Sequence, residues 1–294
     1  MQGFLLIDKP EGFTSFDVVA VLRGLLHTKR IGHTGTLDPM ATGVLTVFTG
    51  RATKLCELLP SDEKRYTAVF RLGMTSDTLD RTGNILSTSP VTVGKEQVEQ
   101  VLEQFRGEIE QIPPMYSAIK QDGVRLYDLA RQGKTAKRES RRVIIHELRL
   151  LKADEREHVY TIDVRCSKGT YIRSLCDDIG QALGCGAIVT ELRRTCANGF
   201  GIEQCVTLEQ LKASTDPSSL LLPCDQALLS YHAVTVTEGQ AKRFCNGGAL
   251  AQERIRLTAD PTEYLRVYAP DGNFLGLGVL RDGELKVQCI LTEI

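Results

Sequence analysis

The densest set of chemically capable side chains lies in residues 30–45, RIGHTGTLDPMATGVL. Asp38 there precedes Pro39 and is surrounded by His33, Thr34, Thr36 and Thr42, with Gly32, Gly35 and Gly43 between them. Glycines permit tight turns and positive φ, so this loop can bring a carboxylate up to a reacting atom without side-chain obstruction. A carboxylate in such a place acts as a nucleophile or as a proton acceptor. Asp-Pro also opens ordinary turns, so the pattern alone leaves a reactive carboxylate and a structural turn both open. A phosphate-binding loop is excluded, because GxxxxGK[ST] would require glycine where Leu37 stands, with a lysine after it.

A second segment bears on substrate rather than reaction. Residues 120–142 hold eight Lys and Arg (Lys120, Arg125, Arg131, Lys134, Lys137, Arg138, Arg141 and Arg142) against Asp122, Asp128 and Glu139. Tyr116 and Tyr127 lie in or beside the segment. Cations interleaved with aromatics suit phosphate contact and base stacking in RNA, whereas the plainer reading is a solvated basic loop. Gly123 and Gly133 flank a stretch with few large apolar residues, so this segment is expected to become ordered on RNA. The net charge of −1 argues against a uniform positive coat and leaves room for a local basic face. An ATP-dependent nucleotidyltransferase is disfavoured. Ile31-Gly32-His33 ends like its His-Ile-Gly-His signature, but Arg30 replaces the first histidine and Ser167-Lys168 is a poor lysine loop.

Beyond these single segments, GHTGTLDPMATGVL closely resembles the catalytic motif of the bacterial tRNA pseudouridine(55) synthases, the TruB family. Lys9-Pro10-Glu11-Gly12 is similar to the family's Lys-Pro-x-Gly element, and Lys64-Arg65-Tyr66 to its active-site tyrosine segment. Asp77-Thr78-Leu79-Asp80 is similar to its Asp-Thr-x-Asp segment, and residues 113–133 to its RNA-clamping insertion, here taken as about 113–142. CSKGTYIRSL at 166–175 and Glu191-Leu192-Arg193-Arg194-Thr195 complete the set in family order.

The resemblance implies an isomerase that flips uridine 55 out of the T arm of tRNA, breaks its glycosidic bond and rejoins the base through carbon. It implies no cofactor and no metal. By resemblance Asp38 is the catalytic carboxylate and Arg173 its counter-charge. Tyr66 stacks on the target base and takes part in proton transfer. His33 fills the space left by the flipped nucleotide, Tyr171 lines the pocket and Leu192 forms its apolar wall. Lys9 positions the first loop, and Asp80 hydrogen-bonds behind the site. Taken singly, each has a plainer reading: a strand tyrosine, a core leucine, a loop histidine, a surface arginine. A non-catalytic RNA-binding protein or tRNA chaperone on the same scaffold is the alternative, disfavoured because Asp38, Tyr66, Tyr171 and Arg173 are all present.

The elements that must hold these residues are mixed. Apolar spacing predicts a helix from near Ser15, capped by that serine, another over 95–106 stopped by Gly107, and a third after Thr170 ended by Gly184. An extended 171–173 would put Tyr171 and Arg173 on one side. Strands are predicted at 66–72, 143–150 and 159–166. Without regular βαβ alternation this is α+β, a mixed and largely antiparallel sheet of the pseudouridine synthase type. A loop is expected at 215–219, TDPSS. From Tyr231 on, alternating Val234/Val236 and Leu265/Val267 and the turn dipeptides Asp271-Gly272 and Asp282-Gly283 predict a small, mainly β unit. It resembles the PUA RNA-binding module, a small β-barrel. The division is therefore 1–230 catalytic and 231–294 PUA-like. Nine scattered cysteines without a CxxC pair fit reduced thiols in the cytoplasm, with no secretory signal and no apolar run near the ~20 residues of a membrane span. A monomer needing no protein partner is expected, since one clamp and one barrel can embrace a tRNA arm.

Overall fold

The structure, a computed structural model, describes residues 2–117, 119–121, 123–255 and 264–292. Its elements run in chain order as β1 (Gly3–Lys9), α1 (Ser15–Leu25), β2 (Ile31–Thr34), β3 (Thr42–Thr49), β4 (Lys64–Leu72), β5 (Met74–Ser76), β6 (Ile85–Thr88) and α2 (Lys95–Leu102). There follow β7 (Gly107–Gln111), β8 (Lys120–Gln121), β9 (Val124–Arg125), α3 (Leu126–Arg131), β10 (Arg141–Asp154), β11 (Val159–Cys166), α4 (Ile172–Ala182), β12 (Ala187–Ala197) and β13 (Phe200–Gly201). The chain ends with α5 (Leu208–Ala213), β14 (His232–Thr235), α6 (Glu238–Cys245), β15 (Leu250–Ala251), β16 (Tyr264–Tyr268), β17 (Phe274–Arg281) and β18 (Glu284–Ile290).

Among the described residues the main sheet has the order β1-β3-β12-β4-β11-β10-β7, with β2 on β3 and β13 on β12. Its ladders are antiparallel except β3–β12, which is parallel. β3 pairs with β2 through residues 46–49 and with β12 only through Thr42 and Gly43. The loop carrying Asp38 leaves the sheet where that edge passes from one partner to the other. One face of the sheet packs on α2 and α4 through Phe70, Tyr160, Ile162, Leu175 and Ile179. Residues of β1 and β3 pack with α1 and α5 through Ile7, Val18, Leu22, Leu45 and Leu211.

Several local expectations need correction. Ser15 is the first residue of α1, and Thr14 is its cap. Thr14 Oγ1 accepts from Asp17 N at 3.0 Å, while Asp17 Oδ2 accepts from Thr14 N at 2.7 Å. This reciprocal box satisfies two donors that a helix start leaves open. α2 stops at Leu102, and a single 3-10 turn leads to Arg106, before Gly107 at φ 83° opens β7. Segment 215–219 winds into a short 3-10 turn at Pro217–Leu220, because Asp216 Oδ1 accepts from Ser218 N at 3.0 Å.

The last part of the chain is a five-stranded half-barrel, β14-β16-β17-β18-β15, with α6 packed inside it through Ala241 and Phe244. The strand-and-turn reading does not foresee α6. Asp282 and Gly283 sit at φ 56° and 74°, the two positive φ values of a type I′ hairpin between β17 and β18. Leu277, Cys289 and Leu291 join Phe4, Phe48 and Leu55 in one apolar cluster, so the C-terminal unit packs against β1 and β3. The fold is α+β, with a largely antiparallel catalytic-type sheet and a PUA-like C-terminal unit.

Candidate active site

Asp38 sits on a loop secured from three sides. Ser15, freed from capping and only 1% exposed, uses Oγ to accept from Leu37 N at 2.9 Å. Gly12 N donates to Pro39 O at 2.8 Å, and Asp38 O accepts from Ala41 N at 3.0 Å. Leu37, Met40 and Ala41 are buried in the main core with Tyr66 and Leu192. A loop whose flanking residues are core residues cannot drift, so the carboxylate is placed by packing as much as by hydrogen bonding.

Beneath the loop, Lys9 is fully buried at the end of β1. Its ammonium donates to Pro10 O at 2.8 Å, Phe13 O at 2.6 Å and Pro39 O at 3.4 Å. Burial pushes its pKa down to about 8, and the negative charge of Asp38 holds it from falling further. Lys9 thus ties the 10–13 turn to the Asp38 loop through carbonyls.

The counter-charge comes from α4. Tyr171 is the extended N-cap residue and Arg173 already lies in the first helical turn, so the two are not neighbours along a strand as the extended reading expects. Arg173 Nε meets Asp38 Oδ2 at 2.8 Å and Nη2 donates to Asp38 Oδ1 at 3.0 Å, a two-pronged fork. The guanidinium also donates to Thr78 O and Tyr116 O, each at 2.8 Å. Asp80 Oδ2 lies 3.6 Å from Nη1. A cation at the positive end of a helix is disfavoured, and these two carboxylates offset that field. The guanidinium side chain is 4% exposed while that of Asp38 keeps 34%, so the acid faces the opening and its partner does not. Burial pushes the Asp38 carboxyl up, Arg173 pulls it back down, and the negative charge of Asp80 pushes up again.

Asp80 is itself 3% exposed. Its Oδ1 accepts from Thr78 Oγ1 at 2.8 Å, Thr82 N at 2.9 Å and Thr82 Oγ1 at 2.6 Å. Backbone bonds from Arg81 N to Val189 O at 2.9 Å and from Val189 N to Leu79 O at 3.1 Å dock this turn on β12. Tyr171 is fixed by Gln111, which accepts from its N–H at 3.0 Å and donates to its carbonyl at 3.2 Å. Burial pushes the phenols of Tyr66 and Tyr171 up, and Asp38 adds to both effects.

His33 is not a loop residue. It lies on β2 opposite Val47, with Nδ1 buried and without a hydrogen-bond partner among the described residues. Burial and then the nearby Arg194 guanidinium push its pKa down, which favours the neutral ring. Leu192 is 6% exposed on β12 opposite Ala68. Ser15, Gln111, Thr78 and Arg194 are site residues that the sequence reading misses. Thr78 and Arg194 stand inside segments that resemble the family's, without an assigned role, and in a strand Arg194 shares a face with Leu192, two residues earlier.

The basic insertion contains the β8–β9 hairpin and α3; Asp122 lies outside the described residues. Tyr127 is engaged internally, with the guanidinium carbons of Arg125 and Arg131 at 5.6 and 5.4 Å from its ring centroid. A groove of about 410 Å³ runs between this insertion and the β5–β6 hairpin, lined by Leu79, Leu86, Met115, Tyr116, Lys134 and Arg138 among others. Among the described residues no three His, Cys, Asp or Glu side chains converge as a metal site, and no helix is long and apolar enough to cross a membrane.

Comparison with known proteins places this geometry. Residues 23–172 match the model of the TruB family pseudouridylate synthase N-terminal domain. Residues 173–229 match the tRNA pseudouridylate synthase B C-terminal domain, and 233–291 match Pseudouridine synthase II TruB, C-terminal. The chain is 42% identical over 287 residues to tRNA pseudouridine synthase B of Clostridium kluyveri, covering 98% of each chain. It is 44% identical over 294 residues to the same-named protein of Azoarcus, covering 99% of this chain and 95% of that one. A structure described as a Cbf5-Nop10-Gar1 complex aligns with TM-score 0.74 at 26% identity, covering 98% of this chain and 84% of that chain. A second, described as an H/ACA RNP bound to a substrate RNA containing 2′-deoxyuridine, aligns with TM-score 0.72 at 22% identity over 99% of this chain and 85% of that chain, a likeness of fold. The chain belongs to the TruB family of pseudouridylate synthases, which are isomerases.

Proposed function

We propose that this protein converts uridine 55 in the T arm of tRNA to pseudouridine, with Asp38 as the reacting carboxylate. The observation that carries the reading is the Asp38–Arg173 fork, a partly open acid held by a buried guanidinium at 2.8 and 3.0 Å. In the reaction the N1–C1′ bond breaks, a C5–C1′ bond forms, C5 loses its proton and N1 gains one. No net oxidation occurs. Asp38 acts either by attack on the sugar or by removing a proton from it, and both roles need the ionised acid that Arg173 favours.

Tyr66 stacks on the base and takes part in the proton transfer; Tyr171 and Leu192 enclose it. His33, whose neutral ring is favoured by burial, occupies the space of the flipped nucleotide, since a base inside a folded arm must leave its stack before reaction. Lys9 and Asp80 hold the Asp38 loop and Arg173 from behind. The insertion at 113–142 contacts the RNA backbone. We divide the chain into a catalytic unit, 1–230, and a PUA-like RNA-binding unit, 231–294, acting as a cytoplasmic monomer without a protein partner or cofactor.

The test is incubation of the purified protein with an unmodified tRNA transcript, followed by mass-spectrometric mapping of pseudouridine. Product at position 55 is expected. Binding without product would instead favour a tRNA chaperone. Asp38→Asn keeps the shape and loses the charge, so it should bind the transcript as the wild type does and form no product. Undiminished turnover by this variant would remove Asp38 from its role.

A further inference from the structure

Arg194 is 0% exposed and is the largest of the fully buried side chains among the described residues. A buried guanidinium costs much unless its charge and donors are used, so its surroundings should say what it is for. Nε donates to Val44 O at 2.7 Å, and Nη2 donates to Gly35 O at 3.0 Å. Gly35 stands at φ 70° at the start of the turn that leads to Asp38. Nη1 meets no acceptor at hydrogen-bond geometry among the described residues. In the β12–β4 ladder Arg194 lies directly opposite Tyr66. Directly opposed residues in an antiparallel pair place their side chains on one face of the sheet, within reach of each other.

We propose that Arg194 is the positioning residue of this site, holding with one buried guanidinium both the Gly35 turn that sets the Asp38 loop and the phenol of Tyr66. The proposal deepens the reading of the chain as a uridine isomerase and rests on it. Among the described residues no carboxylate forms an ion pair with Arg194, so its charge acts on backbone carbonyls and on the tyrosine. That arrangement suits a proton-handling phenol in a dry place. Burial drives Tyr66 towards the neutral form, and Arg194 is the strongest influence in the opposite sense. Cys166 on β11 and Asp38 push in the direction of burial. His33 and Lys64 lie close enough to Arg194 for its charge to push both of their pKa values down. On its other side Arg194 pairs with Gly43 on β3. A Cβ at Gly43 would come within 2.1 Å of Arg194 O, so the approach of the two strands leaves no room for a side chain there.

The experiment compares wild type, Arg194→Met and Arg194→Lys as full-length proteins. Tyr66 is followed by NMR with ¹³Cζ-labelled tyrosine, assigned through Tyr66→Phe, and single-turnover pseudouridine formation is measured on a tRNA transcript. In Arg194→Met the Tyr66 titration should move to higher pH and the single-turnover rate should fall at least tenfold, with the tRNA Kd within about twofold of wild type. Arg194→Lys keeps the charge but lacks the planar fork that reaches both Val44 O and Gly35 O. It should keep Tyr66 nearer its wild-type titration while losing rate, and it carries the test should the Met variant fail to fold. A folded Arg194 variant with wild-type rate would overturn the proposal. So would slow turnover with the Tyr66 titration of Arg194→Met unmoved, since that is what a merely structural arginine gives. If wild type makes no pseudouridine, the isomerase reading fails, and the Tyr66 titration still decides whether Arg194 acts on the phenol.

Discussion

Replacing Arg173 by methionine isolates what its fork does for Asp38. Methionine has similar reach and no charge. Burial and Asp80 both push the Asp38 carboxyl up, and Arg173 is the principal influence pulling it down. With the guanidinium gone the upward pushes remain, so the pKa rises further. Two charge-assisted hydrogen bonds disappear, at 2.8 and 3.0 Å. Hydrogen bonds to charged groups contribute about 1.5–3 kcal/mol each, at least about 3 kcal/mol for the pair, and the 34% exposure of Asp38 screens this to about 2 kcal/mol in total. At 1.36 kcal/mol per factor of ten, that lowers the ionised fraction on the acid side by roughly thirtyfold. In the proposed mechanism the ionised acid is the active form, so activity should fall as pH falls through this pKa. The acid limb of the single-turnover profile should therefore move to higher pH in Arg173→Met. The rate deficit should be largest at low pH and shrink as the pH is raised. The assay is pseudouridine formation from a T-arm RNA under enzyme excess, across a pH series from mildly acidic to mildly alkaline. A deficit of constant size across that series, or an unmoved acid limb, would refute the role given to the fork.

Two further perturbations probe the substrate surface and the frame. Changing Arg138, Arg141 and Arg142 together to glutamine should weaken tRNA binding and flatten the plot of log K against log salt, by up to about 0.9 for each phosphate no longer neutralised. All three lie on the basic insertion and its exit into β10, and an unchanged slope in filter binding would show that none meets a phosphate. Gly43→Ala should destabilise the protein by about 2–4 kcal/mol in urea unfolding, since its φ is 104° and the new Cβ would meet Arg194 O at 2.1 Å. A destabilisation below about 0.5 kcal/mol would mean that β3 and β12 can separate freely at this point.

How far the site can be read from sequence differs residue by residue. The Asp38 loop is local, and its glycines and Asp-Pro pair announce themselves. Arg173 lies 135 residues away, and no spacing rule links it to Asp38. Only the resemblance to a family joins the two, and the fork fits that pairing. The helix expected after Thr170 starts at Ile172 without any side-chain cap on Tyr171, so the condition of an extended 171–173 is not met. Ser15 misleads for the converse reason: Thr14 and Asp17 already complete the box, which leaves the serine free to hold Leu37. Strand β12 is not predicted because Glu191, Arg193 and Arg194 hide its apolar alternation. Arg194 is polar at an inward position, and that conflict with the local pattern is the available sign of a site. In the C-terminal unit the hairpin dipeptides are legible. Helix α6 is not, being a short element whose Thr237–Gln240 capping box lies in a polar stretch.

The two buried arginines divide the work of the site between them. Both reach for backbone: Arg194 for Val44 O and Gly35 O, Arg173 for Thr78 O and Tyr116 O. A carbonyl in a paired or docked segment cannot rotate away as a side-chain acceptor can, so each guanidinium is located by the chain itself. Arg173 is located by segments far apart in sequence, the 78–80 turn and the insertion, and then presents two donors to Asp38. The ionisation of Asp38 therefore depends on where those segments lie. A substitution in the insertion that shifted Tyr116 O would act on the acid through Arg173 without touching it, and would move the same acid limb that Arg173→Met moves.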